Sequence, residues 1–114
     1  MLSRKNLLKK KTDIERVFKK GKGFKEDFLL LKAVKNSLGL SRFGFVVSQK
    51  VSKKAVLRNK IRRRLKEILG AKLKRIKNDY DCLLIVLPGL ENKDFWEMEY
   101  IINKLFIKGN LWVQ

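Results

Sequence analysis

No histidine occurs anywhere in this sequence. That absence removes the side chain most used as a general base near neutral pH and the commonest metal ligand. A single cysteine, Cys82, excludes an intrachain disulfide and fits a reducing, cytoplasmic setting. Inside an apolar run it reads as a packed small hydrophobe, not a reactive thiol. Acidic residues number 11, and they are scattered. Asp13 and Glu15 open a helix, Glu26 and Asp27 precede a strand, Asp79 and Asp81 flank an apolar run, and Asp94, Glu97 and Glu99 fall on a last helix. Nuclease chemistry needs a general base or clustered carboxylates holding Mg²⁺, and neither pattern is present. Asp79 and Asp81 are read as a soluble strand edge. The segment GKG at 21–23 lacks the length and the Lys-Ser/Thr ending of a phosphate-binding loop. No apolar run approaches the roughly 18 residues that span a bilayer, and MLSRKNLLKKK lacks the apolar centre of a signal peptide. The chain therefore offers binding, with no catalytic residue and no metal site of its own.

What the sequence has in excess is positive charge. Its 114 residues carry 29 Lys/Arg, for a formal charge of +18. The length suits one compact domain with a real core, spanning residues 1–114. Residues 1–78 hold 26 Lys/Arg against 5 Asp/Glu, or +21, and residues 79–114 hold 3 against 6, or −3. The positive field belongs to the first two-thirds, and such a field favours nucleic acid and makes binding salt-dependent.

The stretch from Lys50 to Lys77 concentrates both signals. Leu57, Ile61, Leu65, Ile68, Leu69 and Ile76 recur at three- and four-residue spacing, one apolar stripe of a helix of about seven turns. Asn59, Arg62, Arg63, Lys66 and Lys77 fall on the other side. Ser52 is a candidate N-cap. Gly70 marks a bend, an early helix end or a close ligand approach. Lys53, Lys54, Arg58 and Lys60 crowd the helix start, where the macrodipole prefers acidic residues. Their repulsion costs a few tenths of a kcal/mol per charge, and a bound polyanion reverses its sign. A solvated basic face is the bland alternative; density at the wrong helix end favours nucleic acid.

Along the rest of the chain, residues 1–11 form a basic arm with Leu2, Leu7 and Leu8 as anchors, part of it expected to be mobile. Thr12 and Glu15 match a capping box that opens a short helix bearing Ile14, Val17 and Phe18, ended by Gly21 and Gly23. Phe28–Val34 reads as a strand, Asn36–Leu40 as a turn with Gly39 at positive φ, and Ser41–Ser48 as a second strand. Phe43, Phe45 and Val47 share its core face, and Gly44 and Ser48 offer a small-residue groove floor on the other. Tyr80–Leu87 is a near-continuous apolar run, as a strand covered on both faces is. Asn92 is a candidate cap for a last helix with Phe95, Met98, Ile102, Leu105 and Phe106 inward; Trp96, Tyr100 and Trp112 are edge contacts. The order is α-β-β-(β)-α-β-α in a single α+β domain, the bracketed strand left open.

Within the central stretch, AVLRNKIRRRLKE at 55–67 resembles the "RNR" signature of the bacterial ribonuclease P protein subunit. DIERVFKKG at 13–21, RFGFVVSQK at 42–50, and Asp79-Tyr80-Asp81 with the strand and helix that follow resemble further blocks of that family in the same order. The resemblance covers nearly the whole chain. It implies an α-β-β-β-α-β-α domain with a four-stranded mixed sheet and a left-handed βαβ crossover, similar to ribosomal protein S5 domain 2. It implies a protein that assists a catalytic RNA in removing the 5′ leader of precursor tRNA, with Mg²⁺ bound mainly by the RNA. The implied partners are ribonuclease P RNA and precursor tRNA, with no membrane and no protein partner required. The motif roles carry onto Arg58, Asn59, Lys60, Arg62, Arg63 and Lys66 as RNA contacts. A leader cleft between sheet and first helix carries onto Ile14, Phe18, Leu31, Ser48 and Lys50. Lys60 stands where the motif has Arg, keeping charge and losing bidentate geometry. Ile14 and Leu31 are aliphatic where the family's cleft is often aromatic, which leaves Phe18 as the stacking residue and implies weaker or less specific leader binding. A structural rRNA-binding protein of ribosomal type is the alternative. A DNA-binding module lacks its turn-linked recognition helix, and an independent nuclease lacks its catalytic groups.

Overall fold

The computed structural model describes residues 2–114. In chain order the elements are α1 (Lys11–Lys20), β1 (Lys22–Glu26), β2 (Leu29–Lys35), β3 (Arg42–Val46), α2 (Ala55–Lys72), β4 (Tyr80–Val86) and α3 (Phe95–Lys108). The four strands form one sheet in the order β1-β2-β4-β3. β4 is antiparallel to β2 and parallel to β3, so α2 serves as the crossover between β3 and β4. This is the mixed α+β sheet that the resemblance implied. The third strand before α2 is β1, which precedes the two strands read from residue patterning; the described residues between β3 and α2 form no strand, where the bracketed one was expected. β1 joins β2 through a two-residue turn at Asp27 and Phe28, with Glu26 opposite Leu29 and Asp27 at φ 48°. KGFKE carries one apolar residue, and its lysines suit an edge strand that must not pair further.

Alternation along the strands divides the domain into two faces. Leu29, Leu31, Phe43, Cys82, Leu84 and Val86 point into the main core against α2 and α3. Leu83 points the other way and packs with Val17 of α1 and Leu8. β4 is apolar from Cys82 to Val86 because both of its faces are covered there. Truncating a residue such as Leu84 to Ala would cost about 2–5 kcal/mol.

Several local expectations are corrected by the helix ends. α2 starts at Ala55 with Lys54 as N-cap and no side-chain cap; Ser52 instead accepts the Lys54 N–H at 3.2 Å, two residues before the cap position. The helix runs through Gly70 and tightens into a 3-10 turn at Leu73–Arg75, so it has 18 residues and about five turns, not seven. Ile76 and Lys77 lie beyond it. Ile76 is buried through a bridge to Trp112, and the Lys77 N–H donates to the Leu111 carbonyl at 2.8 Å. Leu57, at the exposed end of the stripe, is 40% accessible. The N-cap of α1 is Lys10, which puts Thr12 inside the first turn, and that of α3 is Asp94 in a capping box with Glu97, two residues past Asn92. Gly21 does end α1: a Cβ there would sit 2.4 Å from the Val17 carbonyl, so only glycine lets the chain turn directly into β1. Gly39 holds φ 80° in the β2–β3 turn, as its position required.

The basic arm is packed from Leu2 onward. Arg4–Asn6 forms a 3-10 turn, the Leu8 N–H donates to the Phe43 carbonyl at 2.8 Å, and Asn6 Nδ2 donates to the Ser41 carbonyl at 2.9 Å. Leu8 also fills the space above Gly44, where a Cβ would come within 3.4 Å of it. The small-residue floor read from Gly44 is thus occupied by the chain's own arm.

Candidate RNA interface

The first turns of α2 put Arg58, Asn59 and Lys60 at the head of a ridge continued by Arg62, Arg63 and Lys66. Arg58 is half-buried because its Nη1 donates to the Ser52 carbonyl at 2.9 Å, closing the loop that enters the helix. Arg62 donates from Nη1 to Asn59 Oδ1 at 2.8 Å and from Nη2 to the Val47 carbonyl at 3.3 Å. Its guanidinium is therefore held against the end of β3, and Asn59 acts as its brace. Asn59, Lys60 and Arg63 are exposed, and Arg62 and Lys66 are half-buried. Among the described residues, no cation from Lys50 to Lys66 lies in an ion pair. The ridge is uncompensated positive charge at the positive end of a helix dipole.

Beside it lies a groove of about 390 Å³ lined by Leu2, Leu7, Asn59, Arg62, Arg63 and Lys66. A smaller one of about 140 Å³ runs between Leu8, Lys9, Gly44 and Arg62. The arm's part in these grooves was missed by residue patterning. Its signal was the leucines at 2, 7 and 8, which anchor the arm and so form the grooves' apolar wall.

On the sheet face that carries α1, cross-strand register aligns residues in transverse rows. Lys25, Leu30, Ile85 and Val46 form one row, and Gly23, Lys32, Leu83 and Gly44 the next. Val17 and Leu8 cover Leu83, whereas Leu30, Ile85 and Val46 stay half-buried and form an apolar floor. Phe18, 52% accessible, and half-buried Ile14 come from α1; Ser48 and Lys50 are exposed on the chain leaving β3. Leu31 does not join them. It is fully buried on the opposite face, in the core. A shift of one residue along a strand exchanges the faces. Lys32 was the signal for the correct parity, since the lysine marks the less buried face of β2 and Leu30 shares it.

A buried ionic cluster fixes α1 over this floor. Asp81, with no accessible surface, accepts from Arg42 Nε at 2.8 Å and Nη2 at 2.7 Å, from Asn36 Nδ2 at 2.7 Å, and from Arg16 of α1. Arg42 also reaches Asp13 of α1 at 3.5 Å. Asp81 is no soluble strand edge: three donors converge on it from α1, β3 and the β2–β3 turn. Burial pushes its pKa up, but hydrogen bonds from Arg42 and Asn36 and the charges of Arg42 and Arg16 outweigh that and hold it below the ordinary carboxylate range. The same contact raises the pKa of Arg42. Burial, with Asp81 next to it, pushes the Cys82 thiol far up, so it stays protonated and packed.

The donor set does not fit a resident Mg²⁺ site. Among the described residues no three of Asp, Glu, Cys or His come together in a way that could hold a metal, and the Asp81 oxygens are already engaged by cations. Among the described residues, no helix is long and apolar enough to cross a membrane.

The site therefore consists of a run of cations from Lys50 to Lys66 outside any ion pair among the described residues, beside a half-buried apolar row on the α1 face of the sheet. Residues 2–109 match the Ribonuclease P family. The chain is 34% identical over 99 residues to the ribonuclease P protein component of Syntrophomonas wolfei, covering 87% of this chain and 82% of that protein. It is 31% identical over 110 residues to the Clostridium botulinum protein of the same name, covering 96% and 98%. The solved RNase P protein from Thermotoga maritima superposes with a TM-score of 0.79 at 30% identity, over 87% of this chain and 94% of that one. The Staphylococcus aureus RNase P protein, at 23% identity and a TM-score of 0.87 over 95% and 98%, shares the fold. The chain belongs to the ribonuclease P protein component family. It is a protein subunit of the endoribonuclease that processes tRNA 5′ ends, and it associates with ribonuclease P RNA.

Proposed function

We propose that the α2 ridge docks the ribonuclease P RNA while the cleft beside α1 holds the 5′ leader of precursor tRNA, in the cytoplasm. The observation that carries this is the run of cations from Lys50 to Lys66, none of them in an ion pair among the described residues, which borders the arm groove through Arg62, Arg63 and Lys66. Cations kept free of carboxylates at the start of a helix repel one another and the helix dipole, and a bound polyanion would offset that cost.

The roles divide by geometry. Arg62, braced by Asn59 and Val47, is pre-aimed and loses little entropy on meeting a phosphate. Arg63, Lys60 and Lys66 add charge along the ridge, Lys60 as a point charge without a fork. Arg58 keeps the loop before α2 closed. In the cleft, the apolar row Leu30–Ile85–Val46 receives unstacked bases, Phe18 offers a ring face, and Lys25 continues the row on β1 for the backbone. Hydrolysis is assigned to Mg²⁺ held by the RNA; the protein positions the substrate and neutralises phosphates. Adding the purified protein to ribonuclease P RNA at low Mg²⁺ is expected to stimulate removal of the precursor tRNA leader. Binding to that RNA without stimulation would instead favour a purely structural RNA-packing role.

A further inference from the structure

Lys32 occupies the cleft in an unusual way for a lysine in the middle of a strand. Register places it on the α1 face, between Gly23 and Leu83. Its Nζ donates to the Phe18 carbonyl at 2.6 Å, in the last turn of α1, where the helix dipole is negative. The same ammonium lies 4.7 Å from the centroid of the Phe18 ring. Among the described residues it has no carboxylate partner. A lysine ammonium carries three N–H donors, and one is engaged.

We infer that Lys32 is a positioning residue for the leader: its ammonium sets the Phe18 ring and presents its remaining donors to a phosphate of the single strand lying in the cleft. This rests on the cleft being the leader site. With one ring face taken by the cation, a base can stack only on the opposite face, so Phe18 contributes one stacked nucleotide and Lys32 fixes where the adjacent phosphate sits. Gly23 on β1 and Gly44 on β3, in the same row, leave Lys32 as the long side chain rising beside covered Leu83. The cleft thereby combines an apolar floor with a cation above it, the arrangement single-stranded RNA needs for bases and backbone together.

The test uses the holoenzyme reconstituted with ribonuclease P RNA, comparing Lys32→Met, Lys32→Arg and Phe18→Ala. Affinity is measured for precursor tRNA, for mature tRNA, and for a precursor cut back to a one-nucleotide leader. Lys32→Met keeps the aliphatic stem and is expected to weaken precursor binding roughly 3- to 10-fold, the range of an exposed cation–π contact and one phosphate contact combined. Mature and one-nucleotide-leader tRNA are expected to bind as before. The salt dependence of precursor binding is expected to become shallower by about 0.7 units, one single-strand phosphate, and Lys32→Arg is expected to retain most of the affinity. An equal loss for precursor and mature tRNA, or an unchanged salt slope, overturns the inference. If Phe18→Ala lowers precursor affinity and Lys32→Met does not, Lys32 has no such role though the cleft stands. If neither changes it, the cleft reading falls and takes this inference with it.

Discussion

Two sets of arginines in this molecule do opposite work. Arg16 and Arg42 lie on the α1 face and converge on buried Asp81. Arg58, Arg62 and Arg63 lie on α2 and contact only carbonyl oxygens or an amide, or nothing. The first set is architecture, since it clamps α1 across β3 and β4 and thereby sets the cleft. The second set is held in place but left electrically unmatched. Charge density alone does not separate them; pairing does. A +18 chain advertises a polyanion everywhere, and the structure shows where its cations are still free to meet one.

The largest effect expected from breaking this contrast is on stability. Asp81→Asn leaves two guanidinium groups facing a neutral side chain and is expected to destabilise the domain by about 3 kcal/mol, measured by urea or thermal unfolding. The figure sits at the low end for a buried pair because Arg16 and Arg42 stay partly accessible. The same residue predicts a pH dependence. Its pKa in the folded chain lies below its unfolded value, so the folded state binds fewer protons. The stabilisation is complete above about pH 4 and is lost as the pH falls through the folded pKa. Asp81→Asn should flatten that acid limb, and a limb unchanged in the variant would assign acid unfolding to other groups.

A substitution on the other side should move stability and binding in opposite directions. Lys54 is the N-cap of α2 and makes no side-chain cap. Lys54→Asp supplies a capping acceptor and a favourable charge at the dipole, so it is expected to stabilise the fold by about 1 kcal/mol. It should also weaken RNA binding by removing a ridge cation. Both falling together would mean Lys54 serves the helix. A third effect, no larger, serves as control: breaking the partly buried pair Lys72–Glu99 with Lys72→Met, which keeps the aliphatic stem, should cost about 1 kcal/mol.

The contrast also explains what was legible in the sequence. α2, β4 and α3 were found because their apolar periods are long and their faces are decided by packing, although α2 was read past both of its ends and the cap of α3 was misplaced. The RNR blocks identified the family because spacing and order survive even where Lys60 and Ile14 depart from the usual types. Three things were not legible. β1 has too little apolar content to announce itself and is held by its pairing with β2. The parity of β2 was assigned to Leu31 though Lys32 marked the other face, and the cleft floor of Leu30, Ile85 and Val46 was missed with it. Asp81 was read as solvent-exposed because its partners are 39 and 65 residues away in sequence, a separation no local pattern encodes.

The central claim is that the free arginines of α2, and not the paired ones of the α1 face, dock the RNA. The direct measurement is the salt dependence of affinity for ribonuclease P RNA in Arg62→Ala/Arg63→Ala beside Arg42→Gln. The account predicts a slope shallower by about 0.7–0.9 units for each phosphate that the double variant no longer neutralises, with thermal stability nearly unchanged. For Arg42→Gln it predicts reduced stability and an unchanged slope. An unchanged slope in the double variant, or a shallower one in Arg42→Gln alone, would contradict it.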